Sequence, residues 1–375
     1  MPRKDESELG NLGDLPMPPK LDESGRCECK KADDYLAELL LYYPDIGDMT
    51  FFASKVLAAL LLKHRCESPD SKIYENLSTQ AGSEIGVCSI CTGTGAFETC
   101  ASATFEAIMY VFGLDNTGEC TVKPSFGAEC VPFKASYGRQ DMPDDYCMFK
   151  DARLLRSDAR RVCTVHGGPC RLPSVIDGFG AGFSCTSYSS LNKDAAKNAS
   201  AMEKASRNEA EGRVASVTTF MACCDVLEIS NPTWAIFENV QAIDRESAND
   251  EQTNLDLCLQ EIDAKGYACQ TYLLDDAWYG LPQSRRRVYL VCLNRNAAGV
   301  ATSASTFFQS VKSLLQKMYI KPPHPDRFLL ADDDPAVTSY LQTLQEEREK
   351  QRAKEAERPS EKNPSWISLH MSLAE

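Results

Sequence analysis

Through the middle of the chain, short apolar runs alternate with amphipathic stretches. Ile85 to Cys91 has the length of a buried strand and ends in Thr92-Gly93-Thr94-Gly95 before a helical stretch. Pro124 to Val131 and Cys147 to Lys150 are further strand-like segments, and a short strand precedes Ala181-Gly182-Phe183-Ser184-Cys185. Val214, Val217, Met221 and Cys224 fall on one helical face ahead of a buried strand at Trp234 to Phe237. After it, Leu255, Cys258, Leu259 and Ile262 repeat the helical spacing, with Gly266 placed as a stop. Strand patterns return at Cys269 to Leu274 and Val288 to Leu293. Strand–helix alternation of this kind predicts an α/β fold, a doubly wound sheet with helices on both faces.

The flanks differ from this middle. Residues 1 to 32 carry Pro16, Pro18, Pro19 and mixed charge, and are expected to be a disordered tail. Residues 33 to 83 hold two helical patterns, Tyr35 to Tyr42 and Phe51 to Lys63, separated by Pro44 and Gly47. The alternating region covers 84 to 295. From 296 to 375 the expectation is a linker broken by Pro322, Pro323 and Pro325, then a charged, solvated helix over Leu341 to Glu357, then a short apolar segment at Trp366 to Leu373.

Composition narrows the function. The run Val56 to Leu62 is far too short to span a bilayer, and Met1 to Arg26 lacks the apolar core of a signal peptide, so an intracellular, reducing location in nucleus or cytoplasm is expected, without a membrane partner. The 17 cysteines then read as thiols, many of them core residues. Cys27 and Cys29, and Cys88 and Cys91, are closely spaced, but neither pair has a second at zinc-site distance, so no metal site is expected. A net charge of −14 argues against gripping nucleic acid by bulk electrostatics. One local basic patch exists, Arg285-Arg286-Arg287.

Candidate chemistry gathers at the strand ends. Glycines at 93 and 95 let a ligand approach the backbone. In doubly wound folds a carboxylate ending the next strand accepts bonds from ribose hydroxyls, the position of Glu129. Asp151 closes the following strand. Cys185 lies in a loop of small and hydroxylated residues suited to an accessible thiolate. Trp234-Ala235-Ile236-Phe237-Glu238-Asn239-Val240 puts a carboxylate beyond a buried strand, where it can bond the ring nitrogen of a heterocycle. In Gln283-Ser284-Arg285-Arg286-Arg287, strand alternation points Arg285 and Arg287 the same way and Arg286 opposite.

In this order, over about residues 84 to 295, these segments resemble the cytosine-5 DNA methyltransferase family. The resemblance implies S-adenosyl-L-methionine as cofactor, held around Cys91, Thr92, Gly93, Gly95, Glu129, Cys130, Asp151 and Ala152. It implies methyl transfer to carbon 5 of a cytosine flipped from its helix, with Cys185 adding to carbon 6 and Glu238 engaging the ring nitrogen. Arg287 would hold the cytosine carbonyl oxygen, supported by Arg285 and Gln283. The sequence departs from the family at Ser184-Cys185-Thr186, where Pro-Cys-Gln is usual, and at Ser89 and Cys91, where an aspartate and an aromatic are usual. Neither the family's target-recognition region nor its closing Asn-containing motif is recognisable after Leu293. Either the chain is truncated or the helices before Gly86 replace the family's final helix. Transfer RNA as substrate, and a non-catalytic binding module, remain open alternatives.

Overall fold

A computed structural model describes residues 34, 56–62, 84–111, 121–140, 142–156, 161–186, 215–245, 252–297, 304–319, 321–322 and 333–357. The expected tail, the Tyr35 to Tyr42 pattern and the segment Trp366 to Leu373 lie outside these residues. The chain divides into two units, Met1–Pro323 and His324–Glu375. Among the described residues no helix is long and apolar enough to cross a membrane.

Seven strands form one sheet: β1 (Glu84–Ile90), β2 (Thr121–Ala128), β3 (Cys147–Phe149), β4 (Gly178–Ala181), β5 (Trp234–Val240), β6 (Tyr267–Asp275) and β7 (Arg286–Asn294). Their spatial order is β3-β2-β1-β4-β5-β7-β6. The chain winds outward through β2 and β3 from β1, then restarts at β4 on the other side, which is the doubly wound arrangement expected. Helices α1 (Ala96–Val111), α2 (Pro132–Arg139), α3 (Ala215–Ile229) and α4 (Asn254–Ala264) fall between the strands.

Only β7 runs against the others, antiparallel to both β5 and β6. Connection length explains it. A parallel return needs a crossover of about a dozen residues or more. The stretch from Asp275 to Arg286 holds a single 3-10 turn, Asp276–Trp278, so β7 folds back as a hairpin into the gap that α4 leaves between β5 and β6.

The core lies between the sheet and α3 and α4, where Phe179 and Phe237 meet edge to face at 5.4 Å. The expected apolar face of α3 is corrected: Met221 is 39% exposed, whereas Val217, Phe220, Ala222, Cys223, Cys224, Val226 and Leu227 are buried. That helix buries too much of its circumference for a one-face pattern to describe it. For α4, Leu255, Cys258 and Ile262 are buried as expected, Thr253 and Asp256 form a capping box, and Gly266 ends the helix at φ +87°.

Within the span expected as linker, residues Ala304–Lys317 form α5. Leu314 and Met318 pack with Ala58, Leu61 and Leu62 of the helical residues 56–62 and with Ala107 of α1. In the second unit, α6 (Pro335–Glu357) carries exposed Tyr340 and Leu341, in keeping with a solvated helix.

Candidate active site at the carboxyl edge of the sheet

Strand register sets the order of groups along one edge. Ile90 pairs with Ala128 and with Ala181, and Ala181 pairs with Phe237, so the residues that follow β1, β2, β4 and β5 leave the sheet side by side. Because β7 is antiparallel, its first residues join the same edge: Arg287 pairs with Val240. From one side to the other, the edge presents Asp151, Glu129, Cys91 to Gly95, Gly182 to Cys185, Glu238 and then the arginines.

The first half of this edge is a turn tied to a carboxylate. Cys91, Gly93 and Gly95 take φ of +52°, +62° and +80°, a left-handed path that glycine follows without strain. Glu129 is buried and accepts from the backbone N–H of Gly93 and of Val131, each at 2.8 Å. A methyl group on Gly93 would meet nothing within 4 Å, so the space over the turn is open. Burial pushes the Cys91 thiol up to about 12, and Glu129, Cys130 and Asp151 add to the rise. Asp151 accepts from Arg153 Nε and Nη2 at 2.8 and 2.7 Å, and this pairing holds its carboxyl below its ordinary value. Ala152 is buried in the turn that Asp151 caps, and Cys130 is exposed. The Thr92 hydroxyl points inward, 2.8 Å from Ser89 Oγ, and its backbone N–H donates to Ala128 O at 3.2 Å while its carbonyl accepts from Gly95 N at 3.1 Å, so Thr92 shapes the turn.

Behind the turn sits a buried acid that the sequence did not single out. Glu98 Oε1 accepts from Ser89 Oγ at 2.6 Å and from Tyr146 Oη at 3.2 Å. Its Oε2 is buried without a hydrogen-bond partner among the described residues, and burial raises its carboxyl above the ordinary value.

The second half is an ion cluster facing a cysteine loop. Glu238 Oε1 lies 2.9 Å from Arg287 Nε and 3.3 Å from Arg285 Nη2. Arg286 points away, to Asp275 Oδ2 at 3.4 Å, as strand alternation requires. Asp275 also accepts from Ser284 Oγ at 2.8 Å and from the backbone of Arg285 at 2.9 Å, so one carboxylate shapes the arginine loop; these bonds hold it below its ordinary value. Gln283 is exposed on the same connection.

Half-buried Cys185 follows Gly182, on which a methyl group would come 3.5 Å from Glu238 Oε2. Asn239, quoted in the motif but given no role, donates its buried Nδ2 to Phe183 O at 3.0 Å. Ser184 N donates to Thr219 Oγ1 of α3 at 3.0 Å, and Ser184 Oγ lies 3.0 Å from Thr186 Oγ1. The hydroxyls at 184 and 186 thus bond each other where the family has proline and glutamine.

Against the expectation of no metal site, Cys147, Cys163, His166 and Cys170 elsewhere in the unit bring their ligating atoms within 4.8 Å of one another. These four are none of the closely spaced cysteines of the sequence, Cys27 and Cys29 or Cys88 and Cys91.

Residues 151–367 match the sequence profile of a family described as C-5 cytosine-specific DNA methylase. That span holds Asp151, Cys185, Glu238 and the arginines; the glycine turn and Glu129 precede it. No curated protein matches the chain. Among solved structures, a DNA modification methyltransferase encoded within an E. coli prophage is 14% identical, with a TM-score of 0.35, covering 56% of this chain and 47% of its own. For the S. pombe Dnmt2 methyltransferase the figures are 13%, 0.35, 61% and 54%. M. capricolum TrmK, solved with S-adenosyl-homocysteine, is 8% identical at 0.27, covering 74% and 96%. Likeness at this level adds nothing to the sheet order already described. The chain spans about half the length of the first two structures.

Proposed function

Because the chain belongs to the C-5 cytosine-specific DNA methylase family, we propose that it transfers a methyl group from S-adenosyl-L-methionine to carbon 5 of cytosine in DNA. The observation that carries this reading is the cluster of Glu238, Arg287 and Arg285 facing the loop of Cys185, a loop that Asn239 holds from the residue next to Glu238.

The residues present suit the cofactor. The open turn at Gly93 would receive the amino-acid end, while Gly95 is packed against Gly138 and Met142 and lets the turn close on α2; Glu129 and Asp151 offer acceptors for ribose and adenine at adjacent strand ends. When bound, the cofactor supplies an electrophilic methyl carbon on a sulfonium.

On the protein side, the Cys185 thiolate gives an electron pair to carbon 6, forming a carbon–sulfur bond and turning the C5–C6 double bond into a nucleophilic enamine. Glu238 takes up the proton released by the Cys185 thiol and passes it to ring nitrogen 3, and Arg287 takes the carbonyl oxygen where charge develops. After methylation a base removes the carbon 5 proton, the electron pair restores the double bond, and the thiolate leaves. The ring must be met face-on, so the base is extruded from its helix.

The test is adduct formation. Wild-type chain with cofactor and a single-stranded DNA oligonucleotide carrying a cytosine analogue without a removable carbon 5 proton should give a covalent complex by mass spectrometry, and Cys185→Ala should give none. An adduct that survives the substitution rules out Cys185. Capture of an RNA oligonucleotide in preference to DNA would move the substrate to RNA, and no adduct from the folded wild type would make the chain a binding module.

A further inference from the structure

We propose that Cys147, Cys163, His166 and Cys170 form a closed structural zinc site that clips the β3–β4 connection to the sheet.

His166 Nδ1 lies 3.5, 3.4 and 3.4 Å from the sulfurs of Cys147, Cys163 and Cys170. A single ring nitrogen has one proton or one lone pair, so it cannot serve three hydrogen bonds. Three such separations are the edges of a coordination tetrahedron. With Zn–S of about 2.3 Å and Zn–N of about 2.0–2.1 Å, a tetrahedral angle puts sulfur and nitrogen about 3.6 Å apart. All four ligating atoms lie within 4.8 Å of one another, so one ion reaches them all.

The backbone is built to present them. Cys163 and His166 flank a tight turn in which Cys163 N donates to Gly168 O at 2.9 Å and Gly167 N to Cys163 O at 3.0 Å, with Gly167 at φ +71°. Bridges at Val162–Pro169 and Phe149–Cys163 extend the turn into a small hairpin laid against β3. Thr164 N donates to Met148 O at 2.7 Å, which fixes the hairpin beside Cys147. Arg161 donates Nε to the carbonyl of Cys170 at 2.7 Å, bringing a positive charge next to a cluster of three sulfurs.

The donor set selects the ion. Three thiolates and an imidazole in a tetrahedron suit zinc and exclude hard cations such as magnesium and calcium. The protein fills all four positions, so none is left for a water, as a catalytic site requires. Binding displaces the protons carried by the thiols, and no oxidant or reductant takes part. The site is independent of the proposed methyl transfer. It would, however, hold the chain around Asp151, two residues beyond the end of β3.

The full chain, expressed with zinc and kept reduced, should retain one zinc per molecule after gel filtration, counted by elemental mass spectrometry. Cys170→Ser and His166→Ala should each lose most of it, and Cys100→Ser, on α1, should keep it. If the variants fail to fold, X-ray absorption of the wild type decides: three sulfurs and one nitrogen support the site, and an oxygen-rich shell overturns it. Wild-type chain carrying no zinc, or Cys163 and Cys170 joined as a disulfide in the reduced preparation, also overturns it.

Discussion

Asn239 makes two short contacts, Nδ2 to Phe183 O at 3.0 Å and Oδ1 from Val240 N at 2.9 Å, and both end on backbone that positions a proposed reacting group. Asn239→Ala should therefore destabilise the fold by about 1–3 kcal/mol, the cost of leaving a buried group unpaired. It should also lower adduct formation with Cys185 intact, measured by mass spectrometry on folded protein. Glu238→Gln keeps the shape but cannot supply the proton, and methyl transfer should fall on the order of 10²–10⁴-fold in a radiolabel assay. Glu98 gives a pH signature. Burial raises its carboxyl, so the stability from its protonated form is complete below the ordinary carboxylate value and is lost as pH rises through the folded value. The melting temperature of the wild type should fall relative to Glu98→Gln between acid and neutral pH, and parallel curves would sink the idea.

Among the elements, the turn after β1 carries the sharpest constraint. Gly95 sits at φ +80°, and a methyl group there would stand 3.3 Å from both Gly138 O and Met142 Cε. Gly95→Ala should cost about 1–2 kcal/mol from the left-handed backbone alone. Cofactor affinity by calorimetry should drop while the far-ultraviolet spectrum stays unchanged. The strands were legible in the sequence because their apolar runs are short and bounded, and the ends of β1, β6 and β7 fall close to those of the runs that announced them. The direction of β7 was not legible, since alternation is the same whichever way a strand runs. The face of α3 failed at Met221, because a helix buried on several sides has no single stripe. The site residues could be named from motif order, but not their contacts: nothing in the sequence says that Asp275 shapes the arginine loop or that Thr92 turns inward. Likewise Cys147 and Cys163 meet only because Thr164 pairs with Met148, a contact that spacing does not reveal. Cys163-x-x-His166-x-x-x-Cys170 was the available signal.

Taken as a whole, the molecule carries a net charge of −14, and the three arginines at 285 to 287 each contact a carboxylate. Duplex DNA binding gains affinity by releasing counterions, with a slope of about −0.9 per neutralised phosphate. Three arginines set a shallow limit of about −2.7 for this cluster. Anisotropy titrations of duplex DNA at several salt concentrations should give a slope no steeper than that and weak binding throughout. A single-stranded oligonucleotide, which spares a few kcal/mol of unstacking, should be the better substrate. A much steeper slope would mean that a different basic surface meets the DNA.

The seam between β1 and β4 has a kinetic consequence. Its closing contact is Gly86 N to Asp177 Oδ2, at 2.8 Å between residues 91 apart in the chain, whereas Asp275 and Arg286 pair across a short hairpin. Loop-closure entropy lets the hairpin form early and the seam late on the folding path. The glycine turn and the Cys185 loop emerge on opposite sides of that seam, so the two halves of the site come together only when it closes. A ligand bridging them binds only the closed seam, so it should slow unfolding, as unfolding rates with and without cofactor would show.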